Sequence, residues 1–218
     1  KIENIVLQNI KTKDERIDLL NKHKVNYVAW GKTKSDNKFS WVDLDNAGAI
    51  EVIVNYLIKK NHKHISYINI SEKYNFASER KNSFLRVLKK NKIKFNKNYY
   101  SSVKLEEPEK SFEIIKKMLQ KNKNISSIIC STEFSALSAI KACNYLNLKI
   151  GKDISIITFD GPLVRDLSTP PITAVSFPVK ELGKKAINIL LNKNKNSSKI
   201  ESYLAKVEVI ERGSVHSC

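Results

Sequence analysis

The side chains of this sequence that could do chemistry suit the binding of a small molecule better than catalysis. The sequence has no Ser/His/Asp order, no glycine-rich phosphate loop and no metal-ligand spacing. A binding site needs planar groups with several donors, an acceptor carboxylate and apolar faces. Arg80 offers several fixed donors, and Asp160, directly after the apolar run 154–159, could accept hydrogen bonds from two adjacent hydroxyls. We therefore expect a binding protein without catalytic residues, metal ligands or cofactors.

Both side chains also have a purely structural interpretation. Arg80 could be a helix-surface arginine that pairs with Glu79 or another carboxylate, and the residue types alone favour this interpretation. Asp160 could cap the turn that follows it at Gly161. The choice between binding and structure therefore depends on the elements that position the two residues.

The histidines and cysteines form no pattern typical of a metal or redox site. His62 and His64 lie in a polar turn with no carboxylate or third ligand at a suitable spacing, so we expect solvated loop residues. Cys130 lies in a strand-like run and Cys143 in a helical pattern. We expect both to be small core residues of a reduced, cytoplasmic protein. Cys218 makes the number of cysteines odd, and no CxxC spacing is present.

The formal net charge of +17 does not by itself indicate a nucleic-acid surface. Lysines are scattered along the chain, often beside asparagine, without an arginine-rich stretch or a basic run interleaved with aromatics. This distribution favours a general bias in composition over direct contact with nucleic acid. The longest apolar run is far shorter than the roughly twenty residues of a bilayer span, and no signal peptide is visible. We therefore expect no membrane segment.

Strand-like and helix-like patterns alternate along almost the whole chain. The strand-like runs are 5–7, 25–30, 39–44, 65–70, 126–130, 154–159 and 204–210. The helical stripes cover 50–58, 84–88, 112–119, 136–146 and 179–190. Such alternation predicts parallel sheets with helices on both faces, in which ligands bind in loops at the carboxyl ends of the strands.

Six segments, in the same order, resemble the effector domains of the lactose/galactose repressor (LacI/GalR) family. They are 41–49, 61–65, 79–84, 157–161, 169–183 and 211–214. The most specific contains Thr-Pro-Pro-Ile-Thr at 169–173 and Leu-Gly at 182–183. Segment 79–84 resembles the family's Glu-Arg-Leu-x-Gly-Phe, and 157–161 resembles its Val-Gly-Phe-Asp-Asp.

The resemblance implies an α/β fold of the periplasmic-binding-protein type (type I). This fold is a two-lobed clamshell of parallel, doubly wound sheets. The first lobe would hold 1–61 plus 179–191, and the second would hold 62–178 plus 204–210. The family's helix-turn-helix DNA-binding headpiece and the first two strand–helix units of the first lobe have no counterpart here. We therefore expect an incomplete first lobe, with the strand at 4–7 on an open edge of its sheet.

The resemblance also implies the function of a ligand-sensing domain in a transcriptional regulator, most simply a repressor. A small effector, a sugar or glycoside, would bind between the lobes and alter the binding of operator DNA by a cytoplasmic homodimer that does not contact a membrane. The alternative is a secreted sugar-binding protein of an ABC-type transporter, which uses the same clamshell. An α/β enzyme is a more distant alternative, which a nucleophile–base pair near Asp160 would distinguish.

The resemblance places six residues of this chain at the ligand. Arg80 and Asp160 match the family's effector-contacting arginine and aspartate, whereas its second aspartate is Gly161 here, so a polar contact would be lost. Thr132 stands where the family has an asparagine and could equally be a helix N-cap. The aromatic candidates for stacking on a sugar are Phe134 at a helix start, Phe76 in the loop before Arg80 and Trp30 at a strand end. Each could equally be a core residue.

Overall fold

The computed structural model of the chain describes residues 3–35, 38–193 and 199–218. It forms two compact units. The first unit comprises Lys1–Asn46, Glu72–Glu79 and Phe177–Val207, and the second comprises Ala47–Ser71, Arg80–Ser176 and Glu208–Cys218. Three short segments that fall within or beside the expected lobes lie outside the described residues: 1–2, 36–37 and 194–198.

Within the described residues, eighteen elements follow one another. They are β1 (Asn4–Leu7), α1 (Glu15–Lys22), β2 (Asn26–Trp30), β3 (Trp41–Leu44), α2 (Asn46–Lys59), β4 (Ile65–Ile70), α3 (Asn75–Lys90), the 3-10 helix η1 (Lys97–Tyr99), β5 (Tyr100–Val103), α4 (Lys110–Lys121), β6 (Ser127–Cys130), α5 (Glu133–Tyr145), β7 (Ser155–Phe159), α6 (Pro162–Asp166), β8 (Thr173–Ser176), α7 (Val179–Lys193), β9 (Ser202–Ala205) and β10 (Glu208–Ile210). None of the described helices combines the length and the apolar character that crossing a bilayer requires.

The first unit contains a four-stranded parallel sheet in the order β1-β2-β3-β9. Helix α7 covers the sheet because Leu182, Ala186 and Leu190 recur at helical spacing and pack with Val28 and Val42. Among the described strands, β1 forms one edge of this sheet, which is the position that the sequence predicted for it.

The second unit contains a six-stranded sheet in the order β10-β8-β7-β6-β4-β5. The pairing is parallel except at β10, which is antiparallel to β8. Every residue of β4, β6 and β7 is buried, as expected for strands covered on both faces. The predicted parallel α/β architecture is confirmed, and it brings the carboxyl ends of these three strands to one edge of the sheet.

Two expected boundaries differ from the structure. The single strand expected at 204–210 is in fact two strands: β9 pairs with β3 in the first sheet and β10 pairs with β8 in the second. Residues 47–61, expected in the first lobe, lie in the second unit. Helix α2 is tied there to α3, since the Ser83 hydroxyl donates to the Ala47 carbonyl at 2.7 Å and Arg86 pairs with Glu51 at 3.0 Å.

The cysteines of the core follow the prediction, whereas one histidine does not. Cys130 and Cys143 are buried free thiols in the second unit, and burial raises the pKa of Cys143 to about 12, so the thiol stays neutral. His64 is exposed, but His62 is completely buried. The interpretation of His62 as a solvated loop residue was therefore wrong, because tertiary contacts cover the turn that a polar sequence placed at the surface.

Candidate functional site

Polar side chains gather at the carboxyl edge of the second sheet. Asn69 lies near the end of β4, Ser131 directly follows β6, and Asp160 directly follows β7. Helix α3 contributes Arg80 to the same edge. The strand-end cluster, as we call these four residues, therefore combines a guanidinium, an amide, a hydroxyl and a carboxylate where parallel sheets place their ligands.

Arg80 is fixed by contacts with two strands. Its guanidinium carbon lies 3.5 Å from the centroid of the Phe159 ring, and its Nη1 donates to the Ser131 carbonyl oxygen at 3.2 Å. Only 6% of the residue is exposed. A guanidinium this close to an aromatic ring has a defined position and defined directions for its N–H groups. Arg80 is therefore held in one orientation and is not a helix-surface arginine.

Asp160 is held by an arginine from the end of the chain. Its Oδ1 lies 2.8 Å from Nη2 of Arg212, and its Oδ2 lies 3.9 Å from Nη1 of Arg165. Arg212 also donates to the Ile172 carbonyl oxygen, so its own position is fixed. Asp160 does not cap the following turn, because the N–H groups of Leu163 and Val164 at the start of α6 donate to Glu133. Arg212 therefore belongs to the site. The sequence had indicated it only as part of the segment 211–214 that resembles the family.

A buried network of hydrogen bonds orients Ser131 behind Arg80. The Ser131 hydroxyl donates to Asn69 Oδ1 at 2.8 Å and lies 2.8 Å from the Tyr67 hydroxyl. The Asn69 amide nitrogen donates to the Tyr100 hydroxyl at 3.1 Å. Sequence reasoning missed this network, although a polar residue at the end of an apolar strand is a usable signal. Satisfied buried networks of this kind fix one arrangement of their members.

Glu133 occupies the space that Gly161 leaves open. Its Oε1 accepts hydrogen bonds from the backbone N–H groups of Leu163 at 2.8 Å and Val164 at 3.3 Å. A Cβ atom added to Gly161 would overlap the Glu133 carboxylate. The aspartate that the family resemblance would place at this position is therefore replaced by a carboxylate from α5. The φ of Gly161, −172°, is open to any residue, so a larger side chain at this position is opposed only by the Glu133 carboxylate, which is the end of a flexible side chain.

We expect Gly161→Ala to lower the melting temperature by a few degrees. The new methyl group pushes aside the Glu133 carboxylate, the end of a flexible side chain, and the weakening of its charge-assisted bonds costs about 1 kcal/mol, which corresponds to roughly 2–4 °C in a protein of this size. Scanning calorimetry measures the change. Gly183→Ala in α7 is the matched control, because nothing lies within 4 Å of its added Cβ and alanine favours a helix. Equal losses in both variants would contradict the steric explanation.

Thr132 and Phe134 flank Glu133 at the start of α5. Thr132 is the N-cap of this helix and forms a capping box with Ser135, so the structure shows the N-cap role that the sequence left open. Phe134 is 57% exposed, which contradicts the alternative that it is a core residue. Phe134, three residues after Ser131 in the sequence, stays a candidate for stacking on a ligand.

Phe76 and Trp30 lie in the first unit, whereas the other four predicted site residues lie in the second. Phe76 was expected in a loop, but α3 already begins at Asn75, whose side-chain amide donates to Glu79 one turn later. Its ring is half-buried and stacks on Tyr74 with centroids 5.9 Å apart. Trp30 ends β2 as predicted, is half-buried and packs against the core of the first unit.

A surface groove of about 1000 Å³ lies elsewhere in the second unit. It is lined by Ile58, residues 61–64, residues 91–97 and Tyr99, at the amino-terminal side of β4. None of the six predicted site residues lines it. The groove is therefore separate from the strand-end cluster.

The chain is similar over most of its length to transcription regulators. A family model described as the periplasmic binding protein-like domain matches residues 54–215. The HTH-type transcriptional repressor PurR of Erwinia tasmaniensis is 27% identical over 95% of this chain. The chain spans 62% of the length of that relative.

Solved structures give the same fold. A regulatory protein of the LacI family from Chloroflexus aggregans is 27% identical, with a TM-score of 0.85 over 98% of this chain and 76% of the other. A complex of the transcriptional regulator CelR with cellobiose has a TM-score of 0.89 over 97% of this chain and 65% of the other. At 17% identity, this second likeness concerns the fold alone.

Proposed function

This chain belongs to the family of periplasmic binding protein-like domains, and on that premise we propose that it is the ligand-sensing domain of a DNA-binding transcriptional regulator. Its relatives include a repressor and a regulator of the LacI type, and no enzyme stands among the relatives described above. The ligand is a small sugar or glycoside that binds at the strand-end cluster of the second unit.

One observation carries the proposed ligand class: the guanidinium carbon of Arg80 lies 3.5 Å from the centroid of the Phe159 ring, and the carboxylate-bearing Asp160 is the next residue in the chain. Sugar hydroxyls both donate and accept, so adjacent hydroxyls can accept from the guanidinium and donate to the carboxylate. The exposed ring of Phe134 can cover an apolar face of a pyranose. Ser131 already holds Arg80, and Arg212 already holds Asp160. The two side chains therefore lose little conformational entropy when the ligand binds.

In the intact regulator, the ligand acts by binding one conformation more tightly than another. This differential affinity shifts the populations of the two conformations. We place the regulator in the cytoplasm as a homodimer whose headpieces contact operator half-sites, so that the shift changes DNA binding. Repression is the form of regulation that the PurR relative supports.

A ligand screen tests the sensing function directly. The purified protein is heated in the presence of single mono- and disaccharides, among them cellobiose, and its melting temperature is read by fluorimetry. A true ligand at about 100 times its Kd adds roughly 2.7 kcal/mol, which raises the melting temperature by about 5–10 °C. Isothermal titration then gives the stoichiometry. If no saccharide in the panel shifts the melting temperature, the proposed ligand class is wrong.

The coding sequence upstream of Lys1 separates the regulator from a transporter's binding protein. A helix-turn-helix pattern followed by two strand–helix units supports the regulator. A cleavable leader in the same place makes the protein an exported sugar-binding protein, and the transcriptional proposal then fails while the ligand class survives.

A further inference from the structure

Three side chains that bind metals converge at the amino-terminal edge of the second sheet, away from the strand-end cluster. His62 precedes β4, whereas His216 and Cys218 follow β10. Cys218 Sγ lies 3.2 Å from His62 Nδ1 and 3.6 Å from His216 Nε2, and the three ligand atoms lie within 4.8 Å of one another. His62 is 154 positions from His216 and 156 positions from Cys218 in the sequence, so the fold brings distant residues together.

These separations fit the edges of a tetrahedral zinc site. Zinc binds thiolate sulfur at about 2.3 Å and imidazole nitrogen at about 2.0–2.1 Å, so ligand sulfur and nitrogen atoms around one ion lie roughly 3.5 Å apart. The observed distances of 3.2 and 3.6 Å lie on either side of this value. A cation at the centre of the three atoms therefore requires only small movements of the side chains.

The outer nitrogens of both imidazole rings already have partners. His62 Nε2 lies 3.1 Å from the His216 carbonyl oxygen and 3.0 Å from Ser155 Oγ, and Ser155 Oγ also lies 3.0 Å from His216 Nδ1. Histidines that bind metals usually donate their outer N–H to such acceptors, which fixes the ring and its tautomer. When His62 Nε2–H donates to the His216 carbonyl oxygen and His216 Nδ1–H donates to Ser155 Oγ, which also accepts from the His216 backbone N–H, the acceptor nitrogens nearest the sulfur are His62 Nδ1 and His216 Nε2. The Ser126 hydroxyl, 2.9 Å from His62 Nδ1, gives up that bond when the nitrogen binds a metal.

The backbone holds Cys218 in place although its side chain is exposed. The Cys218 N–H donates to the Lys60 carbonyl oxygen at 2.9 Å, and its carbonyl oxygen accepts from the Asn61 side chain at 3.1 Å. Hydrogen bonds of the Cys218 backbone therefore hold its sulfur near the two nitrogens, independently of any bond that the thiol itself makes. This is a second, independent feature of a built site, beside the oriented imidazoles.

We propose that His62, His216 and Cys218 form a binding site for a divalent, borderline-soft cation, with Zn²⁺ as the best match. Two imidazoles and one thiolate suit Zn²⁺ rather than Mg²⁺ or Ca²⁺, which prefer oxygen ligands. Water occupies the fourth position. The bound ion links residues 216–218 to the turn before β4, and it stabilises the second unit at the edge of the sheet opposite Arg80 and Asp160.

Cobalt spectroscopy of the reduced, metal-free protein tests the site. We expect Co²⁺ to bind with a stoichiometry of one, to give the visible bands of tetrahedral cobalt and a thiolate-to-cobalt charge-transfer band, and to be displaced by Zn²⁺. Cys218→Ser should abolish the charge-transfer band, although the buried Cys130 and Cys143 remain. Ser155→Ala should keep the bands and weaken binding by about tenfold, since it removes only the orienting hydroxyl.

His64→Ala is the matched control, because His64 is exposed two positions from His62 and is not part of the cluster. It should bind Co²⁺ like the unchanged protein. An octahedral spectrum without the charge-transfer band, or a band that survives in Cys218→Ser, would overturn the proposal. All measurements are made without sugar, so their outcome is independent of the proposed sensing function.

Discussion

Replacement of Arg80 by lysine is expected to weaken ligand binding by about 100-fold. A factor of 100 corresponds to about 2.7 kcal/mol. Lysine keeps the positive charge but cannot lie flat on Phe159 or present a rigid fork of donors to adjacent hydroxyls. Titration calorimetry with the saccharide identified in the screen measures the change.

The fold should survive this replacement. Arg80→Lys loses the stacking on Phe159 and the hydrogen bond to the Ser131 carbonyl oxygen, which together cost about 2 kcal/mol and lower the melting temperature without ligand by roughly 4–8 °C. Arg86→Lys is the matched control, because Arg86 lies on the same helix, is largely exposed and pairs with Glu51. A loss of affinity no larger than that of the control would remove Arg80 from the ligand site.

Replacement of Arg212 by alanine is expected to give the largest loss of stability at the site. The side chains of Arg212 and Asp160 are only 13% and 14% exposed, and the change leaves the carboxylate without its partner at 2.8 Å. The cost of breaking such a pair is about 3 kcal/mol, at the low end of the range for buried pairs, because some solvent remains. The melting temperature should therefore fall by roughly 6–12 °C in scanning calorimetry.

Arg165→Ala serves as the control for this change. Arg165 lies 3.9 Å from the same carboxylate but is half-exposed, so solvent screens the pair and its loss should lower the melting temperature far less than Arg212→Ala does. The double variant Asp160→Asn with Arg212→Met should be more stable than the sum of the two single changes predicts, since no unpaired charge is left. If the effects simply add, the ion pair does not couple the two residues. Asp160→Asn should also weaken saccharide binding, because the amide has one acceptor oxygen in place of the two charged oxygens of the carboxylate.

The elements with long apolar patterns could be predicted from the sequence. Fully buried runs such as 65–70 and 154–159 correspond to β4 and β7, and the stripe at 50–58 corresponds to α2. The elements that the patterns did not indicate are short: α1, β5, α6 and β8 have between four and eight residues. A segment of one or two turns, or of four strand residues, contains too few positions to define a period.

The sequence, with its family resemblance, also determined which residues to examine at the ends of the strands. It indicated that Asp160 follows a strand and that Arg80 matches the family's effector-contacting arginine. In the structure Asp160 directly follows β7, and the Arg80 guanidinium lies against the preceding Phe159. Their role in ligand binding stays a prediction. The contacts that hold them, from Phe159, Ser131 and Arg212, could not be read from local patterns, because Arg212 is 52 residues from Asp160 in the chain.

Only the tertiary structure decided where the chain changes sheets and which distant side chains meet. One alternating run at 204–210 is divided between two sheets, the Glu133 carboxylate fills the space beside Gly161, and a turn that is polar in sequence places His62 in a buried cluster with His216 and Cys218. The physical reason is common to all three. Periodicity reports which face of an element is buried, whereas the partners on that face depend on connections that bring together residues far apart in the chain.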